Sequence, residues 1–418
     1  MMNIWSFTDE IPSMIERYCE LHPEFASMYE INTNIIPNDE VAYQFALDEA
    51  LTEGMYDVPD LYTVEATYAL KYTKGEMSEY ALPYQELGVD VEAQMEKGKV
   101  TPYIAEIGTN EQGVVGLGFQ STGGAFIYRR SIARDIWGTD DPADIKQKIG
   151  DSWASFLQAC EEVKHKGYRM LSGADDAWRA IRNSGDSPWV VEDKLVISQA
   201  RMNFFEIHKT LVENDYTNGT NVWTSEWFQD MTDQGPNKVL GYLGPSWFIQ
   251  FVLAPNSGGT CVGQGTFGDW AVTEAPTPFF IGGTWILVNP YGNPEVREGL
   301  AKLIEWLTLD TSDTGMQYML ATSQLFLDKP TKDTVGLGAV MERLQGEEAF
   351  LGGQNMFQVF QPAGEQSDGS IISVYDEDLN RLFYQESTSY VLGEKTKEEA
   401  VRDFVRQVQE MYGFEYDG

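Results

Sequence analysis

The chain has few of the residues that build metal centres and disulfide frameworks. Its 418 residues include three cysteines, Cys19, Cys160 and Cys261, and three histidines, His22, His165 and His208. The cysteines lie far apart and form no CxxC pair, which rules out a disulfide framework and argues against a zinc knuckle; one disulfide plus one free thiol stays open. The histidines are isolated, with no HExxH and no His/Cys cluster, so no metal and no cofactor is expected. Basic residues are also scarce: 29 Lys and Arg stand against 65 Asp and Glu, a net charge of −36. Such a surface repels phosphate backbones and anionic headgroups, so nucleic acid is not an expected partner. No run of 18 apolar residues occurs, so no segment reads as a membrane span. No signal peptide precedes the first strand-like run, Asn3 to Phe7, which leaves two readings: a cytoplasmic protein, or a leader removed ahead of this sequence. The acidic run Asp376-Glu377-Asp378 offers hard oxygen ligands but lacks the spacing of a calcium loop.

Aromatic residues are plentiful. The chain is 42% hydrophobic and 13% aromatic, with 11 Trp and 21 Tyr, so it folds, and its length favours two or more lobes over one core. The segment Gly241-Tyr242-Leu243-Gly244-Pro245-Ser246-Trp247 closes a short apolar strand with a Gly/Pro turn and then presents a ring. Gly282-Gly283-Thr284-Trp285 repeats the arrangement ahead of the strand-like Ile286-Leu287-Val288. A ring held at a tight turn suits the apolar face of a sugar; burying roughly 50 Å² of that face is worth on the order of 1 kcal/mol. The competing reading of each Trp is an ordinary core residue.

Along the chain, Ile4–Phe7, Tyr29–Ile36 and Pro59–Val64 read as strands. Between them, Ile11–His22 and Glu40–Glu53 read as helices; Ile11, Met14, Ile15 and Tyr18 share one face, and Pro12 sits near the start where a missing N–H costs little. This βαβαβ alternation predicts an α/β lobe with a mostly parallel sheet. Gly116-x-Gly118 is not followed by a third glycine opening a helix or by Lys-Ser/Thr, so it is neither a P-loop nor a dinucleotide site. Trp153, Phe156, Leu157, Cys160 and Val163 give the helix after Asp151 its apolar face. Tyr168–Leu171 reads as a strand running into a polar loop, Ser172 to Trp178. Late helices are expected at Asp376–Glu386 and Lys397–Met411.

The order of these elements resembles the extracytoplasmic sugar-binding proteins of ABC importers, of the maltose-binding-protein type. Ile4-Trp5-Ser6-Phe7-Thr8-Asp9-Glu10 resembles the family's first strand and the charged, sugar-contacting loop after it. Pro59-Asp60-Leu61-Tyr62 resembles its "PDI" strand, and Gly113 through Gly118 to Ile127-Tyr128-Arg129-Arg130 its crossing between lobes, although Gly118-Phe119-Gln120 stands where the family usually has Pro. Asp151-Ser152-Trp153 resembles a helix start of the family. Gly244-Pro245-Ser246-Trp247 is similar to its "GPW" turn with Ser246 inserted, Gly282–Ile286 to its return strand, Asn293-Pro294-Glu295-Val296 to the helix start that follows, and Gly393 to Val401 to its final helix.

The resemblance implies an α/β, two-lobe periplasmic-binding-protein-like fold with a hinge and an interlobe ligand cleft. Residues 1–120 with 288–328 are expected to form one lobe and 125–283 with 331–418 the other, with crossings near 120–124, 283–287 and 325–331. Residues beyond strand ends line the site in such folds. The first lobe then offers Phe7, Thr8, Asp9, Glu10 and Glu65, with Gln120 at a crossing. The second offers Asp175, Asp176, Trp178, Trp247 and Tyr375, with Trp285 at the return crossing. The competing readings are solvated acids for Asp9, Glu10 and Glu65, helix capping for Asp175 and Asp176, and core packing for Trp178. The implied function is capture of an oligosaccharide, a plant-derived xylo- or manno-oligosaccharide, by a monomeric, lipid-anchored extracellular protein that delivers it to membrane permease subunits. The alternatives are a glycoside hydrolase using a carboxylate pair and a cytoplasmic interaction protein. Neighbouring pairs such as Asp175-Asp176 or Glu161-Glu162 do not face one another across a bond, so they are not by themselves an acid and a base.

Overall fold

The computed structural model describes residues 1–38, 41–54, 58–328 and 330–417. Its main strands are β1 (Met2–Ser6), β2 (Ile31–Ile35), β3 (Leu61–Glu65), β4 (Gly116–Gly118), β5 (Ala125–Arg129), β6 (Gly241–Gly244), β7 (Trp270–Glu274) and β8 (Thr284–Val288). The chain divides into two compact units, Met1–Ser121 with Gly282–Leu344, and Thr122–Ile281 with Gln345–Gly418. The third exchange between units therefore falls at Leu344/Gln345, not at 325–331. The intervening stretch is held in the first unit by backbone bonds: Gly336 N–H donates to Phe119 O at 2.7 Å, and Thr101 N–H to Gly336 O at 2.9 Å. Residues 284–287 are likewise not a crossing but the body of β8.

In the first unit the sheet order is β2-β1-β3-β8-β4. β1 pairs in parallel with β2 and β3, while β8 runs antiparallel to both β3 and β4. One inverted strand thus interrupts an otherwise parallel sheet. Helix α1 (Glu10–Leu21) forms because Ile11, Met14, Ile15 and Tyr18 bury one stripe at helical spacing. Helix α2 (Ala42–Glu53) and helix α3 (Ala66–Thr73) follow β2 and β3; Glu40, where the sequence pattern starts the second helix, lies outside the described residues. The buried Asp60 carboxylate ties β1 to the far end of the unit by accepting Asn3 N–H at 2.8 Å and Asn293 N–H at 2.6 Å.

The second unit is built on the antiparallel sheet β6-β5-β7. Around it lie α4 (Trp153–His165), α5 (Ala174–Ile181), α6 (Gln199–Glu213), α7 (Ser225–Asp230), α8 (Asp376–Val391) and α9 (Lys397–Tyr412). Local chemistry fixes their ends: Ser152 Oγ accepts Ser155 N–H to start α4, and Thr396 and Glu399 form a reciprocal capping box on α9. The core is aromatic, with Phe126, Trp178, Trp189, Phe204, Phe383 and Phe404 all buried. The polar loop expected from Ser172 to Trp178 is mostly helix, because Gly173 caps α5 and the two Asp residues fall in its first turn. The strand expected at Tyr168–Leu171 is reduced to isolated bridges, Arg169 with Val239 and Leu171 with Thr217.

Cys19, Cys160 and Cys261 are all free, half-buried, buried and exposed respectively. Among the described residues no helix is long and apolar enough to cross a membrane.

Candidate functional site

In the first unit, the carboxyl ends of the parallel strands β1 and β3 carry five of the twelve predicted residues. Phe7, Thr8 and Asp9 follow β1, Glu10 opens α1, and Glu65 ends β3. The Phe7 ring stands edge-on to Tyr43 and Tyr68, with centroids 5.9 and 6.3 Å away. Tyr43 is itself locked by donating its hydroxyl to Thr63 O at 2.8 Å. Thr8 N–H donates to Ser6 Oγ at 3.3 Å, whereas Thr8 Oγ1 is buried without a hydrogen-bond partner. Glu65 caps α3 by accepting Thr67 N–H at 3.0 Å and the Thr67 hydroxyl.

Glu10 is the electrostatic centre of this cluster. Although the residue keeps part of its surface exposed, its carboxyl is pushed up to about 8, first by burial, then by the charges of Asp333 and Asp9. At neutral pH it is therefore a neutral acid able to donate a hydrogen bond. Gln120 is buried and donates its amide to the Asp333 carboxylate. Sequence reading missed Asp333, which lies in a stretch without periodic pattern, and only the fold carries it to Glu10 and Gln120.

Trp285 belongs to the core rather than to a ligand surface. It is 1% exposed, pairs with Val64 and Gly118 in mid-sheet, and donates Nε1–H to Ile104 O at 3.0 Å. The expectation of a ring held at a crossing fails because the two glycines precede β8 and the Trp is inside it.

In the second unit, Asp175 and Asp176 sit in the first turn of α5, 8% and 1% exposed. Asp176 accepts Gly173 N–H at 3.0 Å and Trp227 Nε1–H at 3.1 Å; Asp175 accepts Val222 N–H at 2.7 Å. Burial raises the pKa of both, and Asp175 raises that of Asp176 further. Both acids thus fasten the 219–227 segment to α5. Trp178 is core: 3% exposed, it stacks on Phe383 at 5.3 Å and 17° and lies 4.7 Å from Phe204. Tyr375 is half-buried and packs on Tyr412 and Phe414 at 5.0 and 4.8 Å; no described contact joins it to Asp175, Asp176 or Trp247.

Trp247 keeps part of its ring open. It lies in a one-turn helix, Ser246–Phe248, that runs into a π-helical turn, Ile249–Leu253, a geometry frequent at functional sites. Its Nε1–H donates to Ile281 O at 3.0 Å, which fixes the ring's orientation. The 11 Trp residues also include Trp223, which no motif or turn pattern singles out and which is 54% exposed. Among the described residues no group of three or more His, Cys, Asp or Glu is placed to hold a metal ion.

Comparison with known proteins gives a consistent result. Over the whole chain the fold is similar to that of an extracellular solute-binding protein of family 1, at 16% identity and a TM-score of 0.76, covering 98% of each chain. It is similar to the sugar-binding protein MalE from the phytopathogen Xanthomonas citri, at 12% identity and a TM-score of 0.71, covering 99% of this chain and 97% of that one. It is also similar to the galacto-N-biose/lacto-N-biose I-binding protein of the ABC transporter from Bifidobacterium longum, at 14% identity and a TM-score of 0.66, covering 100% and 98%. None of the curated proteins compared matches this sequence. Residues 20–326, well over half of the chain, match the family model of the bacterial extracellular solute-binding proteins. The chain belongs to that family, whose members are transport proteins and not enzymes.

Proposed function

We propose that this protein captures an oligosaccharide outside the cell and delivers it to the permease subunits of an ABC importer. The observation that carries the reading is the cluster at the carboxyl ends of β1 and β3, where the partly exposed Phe7 ring lies beside the hydrogen-bonding groups of Thr8, Asp9, Glu10 and Glu65. Sugars need that combination of paired polar groups and an apolar face. Two of the fold's relatives are sugar-binding proteins by name, which supports the same ligand class. A plant-derived xylo- or manno-oligosaccharide is the proposed ligand, and a lipid-anchored monomer the proposed form. The hydrolase alternative is set aside with the family assignment.

Calorimetry against xylo-, manno-, malto- and cello-oligosaccharides tests the reading. Micromolar or tighter binding of one series, recovered intact after long incubation, is the expected result; no binding across the panel rejects it.

Trp247 is the proposed stacking residue of the second unit. Trp247→Ala is expected to weaken sugar binding by about 2 kcal/mol, roughly thirty-fold in Kd. Trp247→Phe keeps a ring but loses the bond to Ile281 O, so it is expected to retain most of the affinity. An unchanged Kd for the folded alanine variant would make the ring structural.

The three chain exchanges at Ser121/Thr122, Ile281/Gly282 and Leu344/Gln345 are the proposed hinge. Hinge closure is a common response of binding proteins to ligand. Small-angle scattering is expected to give a smaller radius of gyration at saturating sugar; an identical profile would argue against a hinge there.

A further inference from the structure

Trp223 combines three properties that packing alone does not explain. It is a large apolar side chain left 54% exposed. Its backbone is left-handed, with φ of 67°, a conformation that bulky residues adopt rarely and at a cost, and that persists only where the surroundings enforce it. The surroundings do enforce it. Val222 N–H, one residue before, is held by the buried Asp175 carboxylate at 2.7 Å. Thr224, one residue after, caps α7 by accepting Trp227 N–H at 3.4 Å. Trp227, whose indole is fixed by Asp176, lies 5.5 Å from the Trp223 ring, and the Arg179 guanidinium lies 5.8 Å from its centroid. Asp175 and Asp176 of α5 thus hold the residues on either side of the ring, and Arg179 of the same helix lies beside it.

From this geometry we infer that Trp223 is an aromatic platform for a neutral pyranose ring, with Asp175 and Asp176 as positioning residues that hold the platform. The assignment rests on the sugar-binding reading above and extends it to a residue and a segment, 219–227, that neither the motifs nor the turn pattern single out. A flat, rigid, exposed indole gains nothing from the fold by being exposed. It gains contact area when a ligand with a flat C–H face settles on it, and rigidity lowers the entropy lost on binding. It also changes the role of Asp175 and Asp176 from sugar contacts to supports.

The test uses the full chain and an oligosaccharide that the calorimetric panel shows to bind the wild type. Trp223→Ala is expected to raise Kd at least ten-fold, about 1.4 kcal/mol, with a melting temperature close to wild type because the ring is exposed. Trp223→Phe is expected to stay within about three-fold of wild-type affinity. Sugar is expected to shield wild-type emission from acrylamide quenching, and that protection is expected to shrink in Trp223→Phe. Asp175→Ala is expected to weaken binding, whereas Asp175→Asn, which keeps an acceptor oxygen for Val222 N–H, retains it. If the wild type binds sugar and Trp223→Ala binds equally well, the platform is wrong and the sugar reading stands. Should the alanine variant fail to fold, unchanged acrylamide protection in Trp223→Phe overturns the platform instead. If the wild type binds nothing in the panel, both fall.

Discussion

Trp178→Ala is expected to destabilise the second unit by about 3–5 kcal/mol, as large aromatic truncations in packed cores do. The ring is 3% exposed and stands between Phe204 and Phe383, and Phe383 in turn contacts Trp189, Phe205 and Phe404 through further ring pairs. Removing it leaves a cavity in the middle of a chain of aromatic contacts, and the helices α5, α6 and α8 that supply them cannot all close on it. Trp178→Phe conserves a ring and most of the volume and is expected to cost markedly less. Urea unfolding measures both. A loss below about 1 kcal/mol for the alanine variant, accompanied by loss of sugar affinity, would return Trp178 to the ligand surface.

That residue also shows where sequence reading reaches its limit. The first unit was largely legible: the stripe of Ile11, Met14, Ile15 and Tyr18 marks α1, and the Pro turn before Leu61 marks β3. These signals are local, and the site residues Phe7 to Glu10 and Glu65 follow from them because they sit at strand ends. Gly173-Ala174-Asp175-Asp176 reads either as a polar loop or as a capped helix start, since the same polar residues serve loops and first turns equally well. Trp285 was misplaced because glycines mark a turn without saying on which side of it the ring falls. Asp333 and the exchange at Leu344/Gln345 depend on tertiary contacts alone. The exposure of Trp223 depends on tertiary contacts, and the burial of Trp178 decides between the ligand-contact and core-packing readings that its sequence context leaves open.

Glu10→Gln is expected to make the protein more stable at pH 8 and leave it unchanged at pH 4. The folded carboxyl titrates near 8 against an ordinary value of 4.5. Below 4.5 both folded and unfolded chains hold the proton, so the group contributes no difference. Between 4.5 and 8 the unfolded chain releases the proton while the folded chain keeps it, so stability falls as pH rises through that window. Above 8 the folded protein carries an ionised carboxylate beside Asp333 and Asp9, and the full penalty remains. Glutamine removes the titration and keeps a hydrogen-bond donor, so the gain is expected to grow across the window to about 4 kcal/mol at pH 8. His208 acts in the opposite sense: burial pulls its pKa down to about 4 from 6.5, so its contribution is lost as pH falls. The difference between variant and wild type cancels that term. Asp333→Asn supplies the control, because removing the strongest neighbouring charge is expected to lower the pH at which Glu10 titrates and to shrink the benefit of the glutamine. Denaturant unfolding of the three proteins at several pH values decides the matter. A gain for Glu10→Gln that is equal at pH 4 and pH 8 would mean that Glu10 is an ordinary solvated acid, and the proposed ligand cluster of the first unit would lose its neutral donor.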